Sequence, residues 1–449
     1  MAHMCPGSIN GKKSLVDVIL EYFIVDTEEA IMIEKFLRDN IGIRTFELKN
    51  CSWRSGTIYF PAYKKADLET VTPRIISWLS ILQANSALEK LRFTFHCFSP
   101  VECAVFLEEL ARNRHLKNVY IEDLQEYCCC LNSRRPSSNS EEKGDLLQGR
   151  RPEILLIECK PIRRIRLNLW TSEDLDWFVT VVLPLQFSHR VTDFTLILSL
   201  LDPTPEAALA IAKFIEESKT LAQLVMDLGC PKNDRNELKI SAVQKTILGG
   251  VHRNSSIKDF VLCYTDCTDV EAEELAHTIR KNKTVCYLNL NLGLNAGHVF
   301  LSQLFPRIWC NYAVLRCAIM GIPYLLESAY HNLSNVAARN QRLVARAAKF
   351  TLGSSTKPCA EAFELVSSNP GLVDELCELV SVEETEASRM IRQRLRWLQN
   401  FNSFMQVSGV VKRRVACHMN ISGWLHLDDV DEYSWRCVRN YLRLADIQK

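Results

Sequence analysis

The chain has 449 residues, of which 47% are hydrophobic and 24% are charged. This composition excludes a fibrous or an intrinsically disordered protein, and the length is sufficient for a large core. Lysine plus arginine number 54 and aspartate plus glutamate number 53, so no net field attracts nucleic acid or an anionic membrane. We therefore expect no nucleic-acid partner.

Apolar residues recur along the chain in the frame L-x-x-L-x-L, which is typical of a short strand with one buried face. Ten copies begin at Leu15, Ile43, Leu88, Leu116, Ile162, Val191, Leu221, Ile257, Val285 and Val314. Six of the nine intervals between successive copies are 28 to 30 residues, and the other three are 36, 45 and 46 residues. A fixed unit that carries three insertions explains this spacing.

Helical patterns occupy the segments between several frames. Start signals and apolar spacing predict helices over Thr27–Arg38, Val101–Arg112, Glu206–Glu217 and Asp269–Lys281. In the third of these we expect Leu209, Ala212 and Ile215 to form the buried face. A strand and a helix of this length cannot bury their apolar sides alone. Stacked units can do so, with the strands in one parallel sheet and the helices outside.

The clearest unit runs from Asn282 to Gly297 and reads N-K-T-V-C-Y-L-N-L-N-L-G-L-N-A-G. It resembles the leucine-rich repeats of the ribonuclease-inhibitor type, which also occur in NOD-like receptors and in the Ran GTPase-activating protein. The resemblance covers residues 14–320 and implies an α/β horseshoe solenoid with a parallel sheet inside and helices outside. The family's ladder position after each strand holds the expected residue type only at Cys51, so we expect an uneven horseshoe.

Two segments interrupt or precede the repeats. Residues 1–13 form a polar N-terminal tail, and residues 125–153 form a polar insertion that we expect to be a flexible surface loop. The insertion contains the cluster Cys128–Cys130. Acylation of these thiols is an open alternative, but contiguous thiols cannot all face one ion, so we expect no metal there.

Beyond the repeats, residues 321–449 are predicted to form a helical region that caps the exposed apolar end of the array. Asn332–Thr351 has an apolar helical face and ends near Gly353. Ser381–Glu384 matches a capping box that opens a long helix, with Ile391, Leu395, Leu398 and Met405 at apolar positions.

The end of the chain, from Val430 to Ile447, resembles the opening of an F-box. This resemblance places Trp435, Val438, Tyr441 and Leu442 on one helical face and implies a ubiquitin-ligase adaptor as partner. The alternative is that the helix simply docks on the helical cap.

Eighteen cysteines are spread along the chain without any C-x-x-C pair, which excludes common zinc and thioredoxin-like motifs. N-x-S/T triplets, among them those at Asn254, Asn282, Asn332 and Asn420, would be glycosylation sites in a secreted chain. No signal-peptide pattern and no long apolar run accompanies them. We expect a cytoplasmic protein, with a nuclear location as an alternative, and no membrane span.

Motifs for chemistry are lacking: no phosphate-binding glycine loop, nucleophile elbow or H-E-x-x-H pattern occurs in the sequence. We expect no enzymatic activity, no cofactor and no metal. In each repeat strand, residues that alternate with the apolar ones should line the concave face and bind a protein partner. The predicted face comprises Lys90, Arg92, Asn118, Tyr120, Arg164, Arg166, Asn168, Trp170, Asp193, Thr195, Asp227, Tyr287, Asn289 and Asn291.

Three functional hypotheses follow from these patterns. The leading one is a non-catalytic scaffold that binds a protein on the concave face. The second is a substrate-recognition adaptor of a ubiquitin ligase. The third, by family analogy alone, is a regulator of a small GTPase or of innate immune signalling.

Overall fold

A computed structural model describes most repeat strands and helices of the chain. The described residues are 16–21, 24–25, 27–40, 42–49, 52–53, 73–94, 100–122, 162–169, 190–198, 205–228, 237–264, 267–320, 327–411, 431–439 and 441–447. The chain divides into two compact units, an N-terminal unit of residues 1–254 and a C-terminal unit of residues 255–449. The N-terminal tail, the whole 125–153 insertion with Cys128–Cys130, and Trp170 lie outside the described residues.

The N-terminal unit alternates short strands with helices. Its strands are β1 (Asp17–Glu21), β2 (Ile24–Val25), β3 (Thr45–Lys49), β4 (Ser52–Trp53), β5 (Lys90–Thr94), β6 (Asn118–Glu122), β7 (Ile162–Leu169), β8 (Asp193–Leu198) and β9 (Gln223–Asp227). Its helices are α1 (Thr27–Asp39), α2 (Pro73–Ala84), α3 (Pro100–Arg112), α4 (Pro205–Glu217) and α5 (Glu237–Arg253). Strands β1, β3 and β5 to β9 pair in parallel in chain order, and β2 pairs with β4 separately.

The C-terminal unit begins with the same alternation and ends in helices. Its strands are β10 (Asp259–Tyr264), β11 (Tyr287–Leu292) and β12 (Arg316–Met320), which pair in parallel. Its helices are α6 (Asp269–Lys281), α7 (Leu294–Ile308), α8 (Glu327–Thr351), α9 (Lys357–Val366), α10 (Pro370–Val380), α11 (Glu384–Gln399), α12 (Phe401–Ser408) and α13 (Glu432–Arg439), followed by a 3-10 turn at Leu444–Asp446.

All ten apolar frames coincide with strands of these parallel arrangements, so the predicted α/β fold with alternating parallel strands and helices is confirmed at this level. Within the frames, Phe46, Leu91, Phe194 and Leu224 are fully buried. Next to them, Arg92, Thr195 and Val225 are half-buried, in line with the two-residue period of a strand.

The predicted helices α1, α3, α4 and α6 are present with bounds within one residue of those expected. The buried face of α4 was assigned wrongly at one position, because Leu209 is 63% exposed. Ala212 and Ile215 are buried as predicted, and the buried face continues through Ala208, Ile211 and Ile215. Their spacing of three and four residues defines the face that packs on the strands.

Helix α6 shows why these segments become helical. Thr268 caps its N-terminus, and the Thr268 hydroxyl and the Glu271 carboxylate form a reciprocal capping box. Glu271 is buried, and its Oε2 also accepts a hydrogen bond from the Tyr264 hydroxyl at 2.9 Å. The cap therefore ties the helix to the strand that precedes it.

Two expectations for the C-terminal helices are wrong. Ser381 does not begin a helix; it ends α10 in the left-handed conformation, at φ 52°, and Glu383 occupies the N-cap position of α11. The predicted long helix is also divided, because Asn400 ends α11 and caps α12 by accepting hydrogen bonds from the amides of Asn402 and Ser403. A local side-chain cap competes here with continuation of the helix.

The C-terminal helices share a core with the last strands of their own unit. Buried residues such as Val344, Phe350 and Phe363 cluster with Cys286 and Leu315, which flank β11 and β12. The Phe350 ring lies 5.1 Å from that of Phe363. These helices thus cover apolar side chains next to the final strands.

A ladder of asparagines connects successive repeats at the turn between helix and strand. Asn85, Asn113, Asn254 and Asn311 each lie three residues before the first apolar residue of a frame. Asn113 donates from Nδ2 to the Leu82 carbonyl of the preceding helix at 2.8 Å, and its Oδ1 accepts from the amides of His115 and Leu116. The other three make equivalent bonds to carbonyls one repeat earlier. The apolar frames indicated a ladder position after each strand and did not indicate these asparagines.

This ladder also explains two of the N-x-S/T triplets. Asn254 is 3% exposed and Asn282 is 8% exposed. The Asn254 Nδ2 donates to the carbonyls of Ile215 and Ser218, while the Asn282 Oδ1 accepts from the amides of Thr284 and Val285. Both side chains are therefore structural in the folded chain. Asn332 is half-buried, and Asn420 lies outside the described residues.

Candidate functional site: a cation–aromatic sheet face

Most of the predicted face residues lie in the described strands, next to buried residues of the apolar frames. Those with half-buried side chains are Lys90, Arg92, Asn118, Tyr120, Arg164, Arg166, Asp193, Thr195, Asp227, Tyr287, Asn289 and Asn291. Asn168 lies in β7 in register with Ile197 of β8. We use the term sheet face for the half-buried side of β5 to β9 in the N-terminal unit.

The centre of the sheet face is a tyrosine between two cations. Lys90 Nζ lies 5.1 Å and Arg164 Cζ lies 5.2 Å from the centroid of the Tyr120 ring. Cations at this distance are attracted to the negative face of the ring. Arg164 Nη2 also lies 2.9 Å from Asp193 Oδ1 on the next strand. We call Glu47, Lys90, Tyr120, Arg164 and Asp193 the Tyr120 cluster.

Glu47 of the neighbouring strand β3 forms ion pairs with cations of β5. It is only 4% exposed, and its carboxylate lies 2.5 Å from Lys90 Nζ and 3.8 Å from Arg92 Nη1. A buried carboxylate requires such partners, because an unpaired charge is costly away from water. Glu47 follows the same alternation as the predicted face residues, between Phe46 and Leu48, so the pattern could have included it.

The pairing of Tyr120 with Arg164 depends on a change of register. The other paired frame strands of the N-terminal unit align their apolar frames. In β8 and β9, for example, Phe194 lies opposite Leu224. Between β6 and β7 the register shifts at Val119 and Tyr120, so Ile121 lies opposite Ile165 and Tyr120 opposite Arg164. Aligned frames would have placed Tyr120 opposite Arg166. An irregularity of this kind re-aims side chains on a sheet.

The part of the sheet face formed by β8 and β9 carries carboxylates. Asp193 Oδ2 accepts a hydrogen bond from the Thr192 hydroxyl at 2.6 Å. Asp227 of β9 lies opposite Ile197 of β8. Arg164 reaches Gln223 of β9 at 3.4 Å, a contact that the sequence patterns did not indicate. The charge on the sheet face thus changes sign along the sheet. In β5–β7 four of the face residues are cations, Lys90, Arg92, Arg164 and Arg166, whereas β8 and β9 contribute Asp193 and Asp227.

The predicted face residues of the C-terminal unit have a different setting. Arg316 Cζ lies 5.6 Å from the centroid of the Tyr287 ring. Burial raises the pKa of Tyr287, and the negative charge of the nearby Asp374 raises it further. Lys258 Nζ pairs with Asp374 at 3.1 Å and Glu384 at 3.4 Å. Burial opposes the charge on Lys258, but the two carboxylates outweigh it and raise its pKa. Acidic residues of α10 and α11 therefore form ion pairs with the lysine that directly precedes β10.

The four residues of the F-box-like segment do not share one helical face, because α13 ends at Arg439. Trp435 is 4% exposed, and its indole N–H donates to the Gln399 carbonyl at 2.8 Å. Leu442 packs on the C-terminal core, whereas Val438 is 50% and Tyr441 is 88% exposed. Trp435 and Leu442 thus belong to the cap.

The cysteines that the structure describes are free thiols. Burial raises the pKa of Cys286 and of Cys317 to about 12, so neither is ionised at neutral pH. Cys310 and Cys437 are exposed. Cys286 is buried and behaves as a small core residue, whereas Cys317 is half-buried.

We predict that alkylation of the native chain at pH 8 modifies Cys310 and Cys437 rapidly and leaves Cys286 unmodified. Peptide mass spectrometry after timed labelling measures this directly. In denaturant all 18 cysteines should react, which provides the control. Rapid native labelling of Cys286 would contradict the assignment.

Among the described residues, no group of three or more His, Cys, Asp or Glu side chains is placed to hold a metal ion. No helix in the described part of the chain is long and apolar enough to span a membrane. In comparisons with known proteins, no family model matches the chain and no curated protein matches it.

Proposed function

We propose that this chain is a non-catalytic protein-interaction scaffold, a leucine-rich repeat horseshoe of the ribonuclease-inhibitor type whose sheet face binds a partner protein. The observation that carries the proposal is the Tyr120 ring held between Lys90 and Arg164 on a half-buried face. Tyrosine and arginine are the residue types that most often supply binding energy at protein interfaces. The ordered frames and the asparagine ladder support the repeat architecture.

Preorganisation favours binding over an ordinary solvated sheet surface. Ion pairs with Glu47 and Asp193 already restrain Lys90 and Arg164. Side chains that are fixed before binding lose less conformational entropy when a partner arrives. A partner therefore meets a rigid aromatic and cationic surface.

The charge pattern indicates the chemistry of the partner. The cations of β5 to β7 favour a partner surface that presents carboxylates, while Asp193 and Asp227 favour a basic or hydrogen-bond-donating group beside it. The proposal also places the chain in a reducing compartment, the cytoplasm or nucleus, because its described cysteines are free.

The test compares two double variants in quantitative affinity purification, followed by titration of the purified partner. The sheet-face variant carries Tyr120→Ala and Arg166→Glu. The matched control carries Leu209→Ala and Lys213→Glu on the exposed side of α4. We expect the sheet-face variant to bind the partner at least about 30-fold more weakly, the loss typical of a hot spot. Equal binding by both variants and the unmodified chain would overturn the proposal.

A further inference from the structure

A second surface in the N-terminal unit concentrates positive charge in a cavity. The cavity has a volume of about 940 Å³, and five cationic residues line it: Arg112, Arg114, Lys117, Arg163 and Arg190. None of the described residues that line it is acidic. It does not include the Tyr120 cluster.

Topology explains why these side chains meet. Lys117 directly precedes β6, Arg163 is the second residue of β7, and Arg190 lies shortly before β8. The starting ends of adjacent parallel strands lie along one edge of a sheet. Arg112 ends α3 and Arg114 lies in the turn that follows, so helix and strands supply cations to the same place.

Some of this charge lacks a carboxylate partner within the described part of the chain. Arg112 pairs with Glu108 of its own helix at 2.6 Å, and Lys117 pairs with Glu89 at 3.0 Å. Arg163, by contrast, donates only to neutral acceptors, the Asn118 side chain at 3.4 Å and the Arg190 carbonyl at 3.2 Å. For Arg114 no carboxylate partner is found among the described residues.

Helix-end electrostatics accounts for only part of this cluster. Cations are stabilised at the C-terminus of a helix, and this effect explains Arg112 and Arg114 beside the end of α3. Arg163 lies within β7, and Arg190 lies three residues before β8. The equivalent turn after α6 lines a smaller cavity of about 300 Å³ with Arg280, Lys281 and Lys283. The larger cavity therefore combines the helix-end cations of one repeat with cations from two further strands.

We propose that this cavity binds an anionic ligand that carries two or more phosphate groups. Guanidinium groups form paired, charge-assisted hydrogen bonds with phosphate oxygens, and four of the five cations are arginines. The volume lies in the range of about 300–1,000 Å³ that accommodates small organic ligands and exceeds what a single phosphate needs. A nucleotide and a multiply phosphorylated peptide share this chemistry.

The test is calorimetric titration of the full chain at constant ionic strength. Inorganic tripolyphosphate probes the shared chemistry, while ATP and a peptide with two phosphoserines distinguish the sources. Sulfate is the control for non-specific anion binding. We expect saturable binding of tripolyphosphate and of one organic probe, with little heat from sulfate.

Two charge-matched variants locate the site. Arg114→Glu with Arg190→Glu changes exposed residues of the cavity and should weaken tripolyphosphate binding at least about tenfold. Lys281→Glu with Lys283→Glu makes the same charge change at the α6 turn and should alter it by less than about twofold, because neither lysine lines the cavity. Thermal unfolding verifies that both variants are folded. Absence of saturable binding, or equal weakening by both variants, would overturn the inference.

Discussion

Replacement of Gly250 by alanine should destabilise the N-terminal unit by about 2–3 kcal/mol, although alanine is the better helix former. Gly250 lies in α5, and a Cβ atom at this position would lie 2.5 Å from the Ala212 carbonyl oxygen and 2.8 Å from the Ala212 Cα. These are backbone atoms of α4, so they cannot rotate away. The two helices would have to separate, which would disturb the packing of consecutive repeats.

The neighbouring glycine provides the matched control. A Cβ atom at Gly249 would meet only the Arg253 guanidinium, at 3.4 Å, and that flexible side chain can move. Gly249→Ala should therefore raise the free energy of unfolding by about 0.5–1 kcal/mol, since it removes backbone freedom from the unfolded chain. Urea unfolding of both variants, followed by circular dichroism, measures the difference. A Gly250→Ala variant as stable as Gly249→Ala would show that the helices do not approach this closely.

Asn311→Ala should cost about 2–4 kcal/mol, because it removes four hydrogen bonds from a buried position. The Asn311 Nδ2 donates to the carbonyls of Ile279 and Asn282 at 3.1 and 3.2 Å. Its Oδ1 accepts from the amides of Ala313 and Val314 at 2.8 and 3.1 Å. Without the side chain, these backbone groups remain buried and lose their partners.

The control for this prediction is Asn335→Ala, which changes an exposed asparagine of α8 in the same unit. It should alter the free energy of unfolding by no more than about 0.5 kcal/mol. Urea unfolding compares the two variants, and hydrogen exchange at the amides of Ala313 and Val314 reports on the ladder itself. If Asn311→Ala left both stability and protection unchanged, the asparagines would not be holding the repeats together.

The strands could be predicted from the sequence because burial of one sheet face imposes a strict apolar period. The frames that contain Phe46, Phe194 and Phe260 are strands for this reason. The positions of the asparagine ladder were visible in the sequence, because an asparagine lies three positions before many frames. Its role depends on bonds to the preceding repeat, which a pattern within one repeat does not reveal.

The geometry of the candidate site could be predicted only in part. Alternation indicated that Tyr120 and Arg164 share a face, but their pairing results from the register change beside the insertion between β6 and β7. Propensity likewise gave no warning of the break at Asn400, where a side-chain cap ends one helix and begins another. Leu209 was misplaced because the buried face of α4 is centred on Ala208, Ile211 and Ile215, and Leu209 points away from it.

The most direct test of the sheet face as the partner-binding surface is site-specific photo-crosslinking in cells. A benzoylphenylalanine residue replaces Thr195, which lies on the sheet face opposite Arg166, or Leu209, which is exposed on α4. We predict that the probe at position 195 forms a light-dependent adduct with a partner protein, and that the probe at position 209 does not. The same adduct from both positions, or an adduct from position 209 alone, would contradict binding on the sheet face.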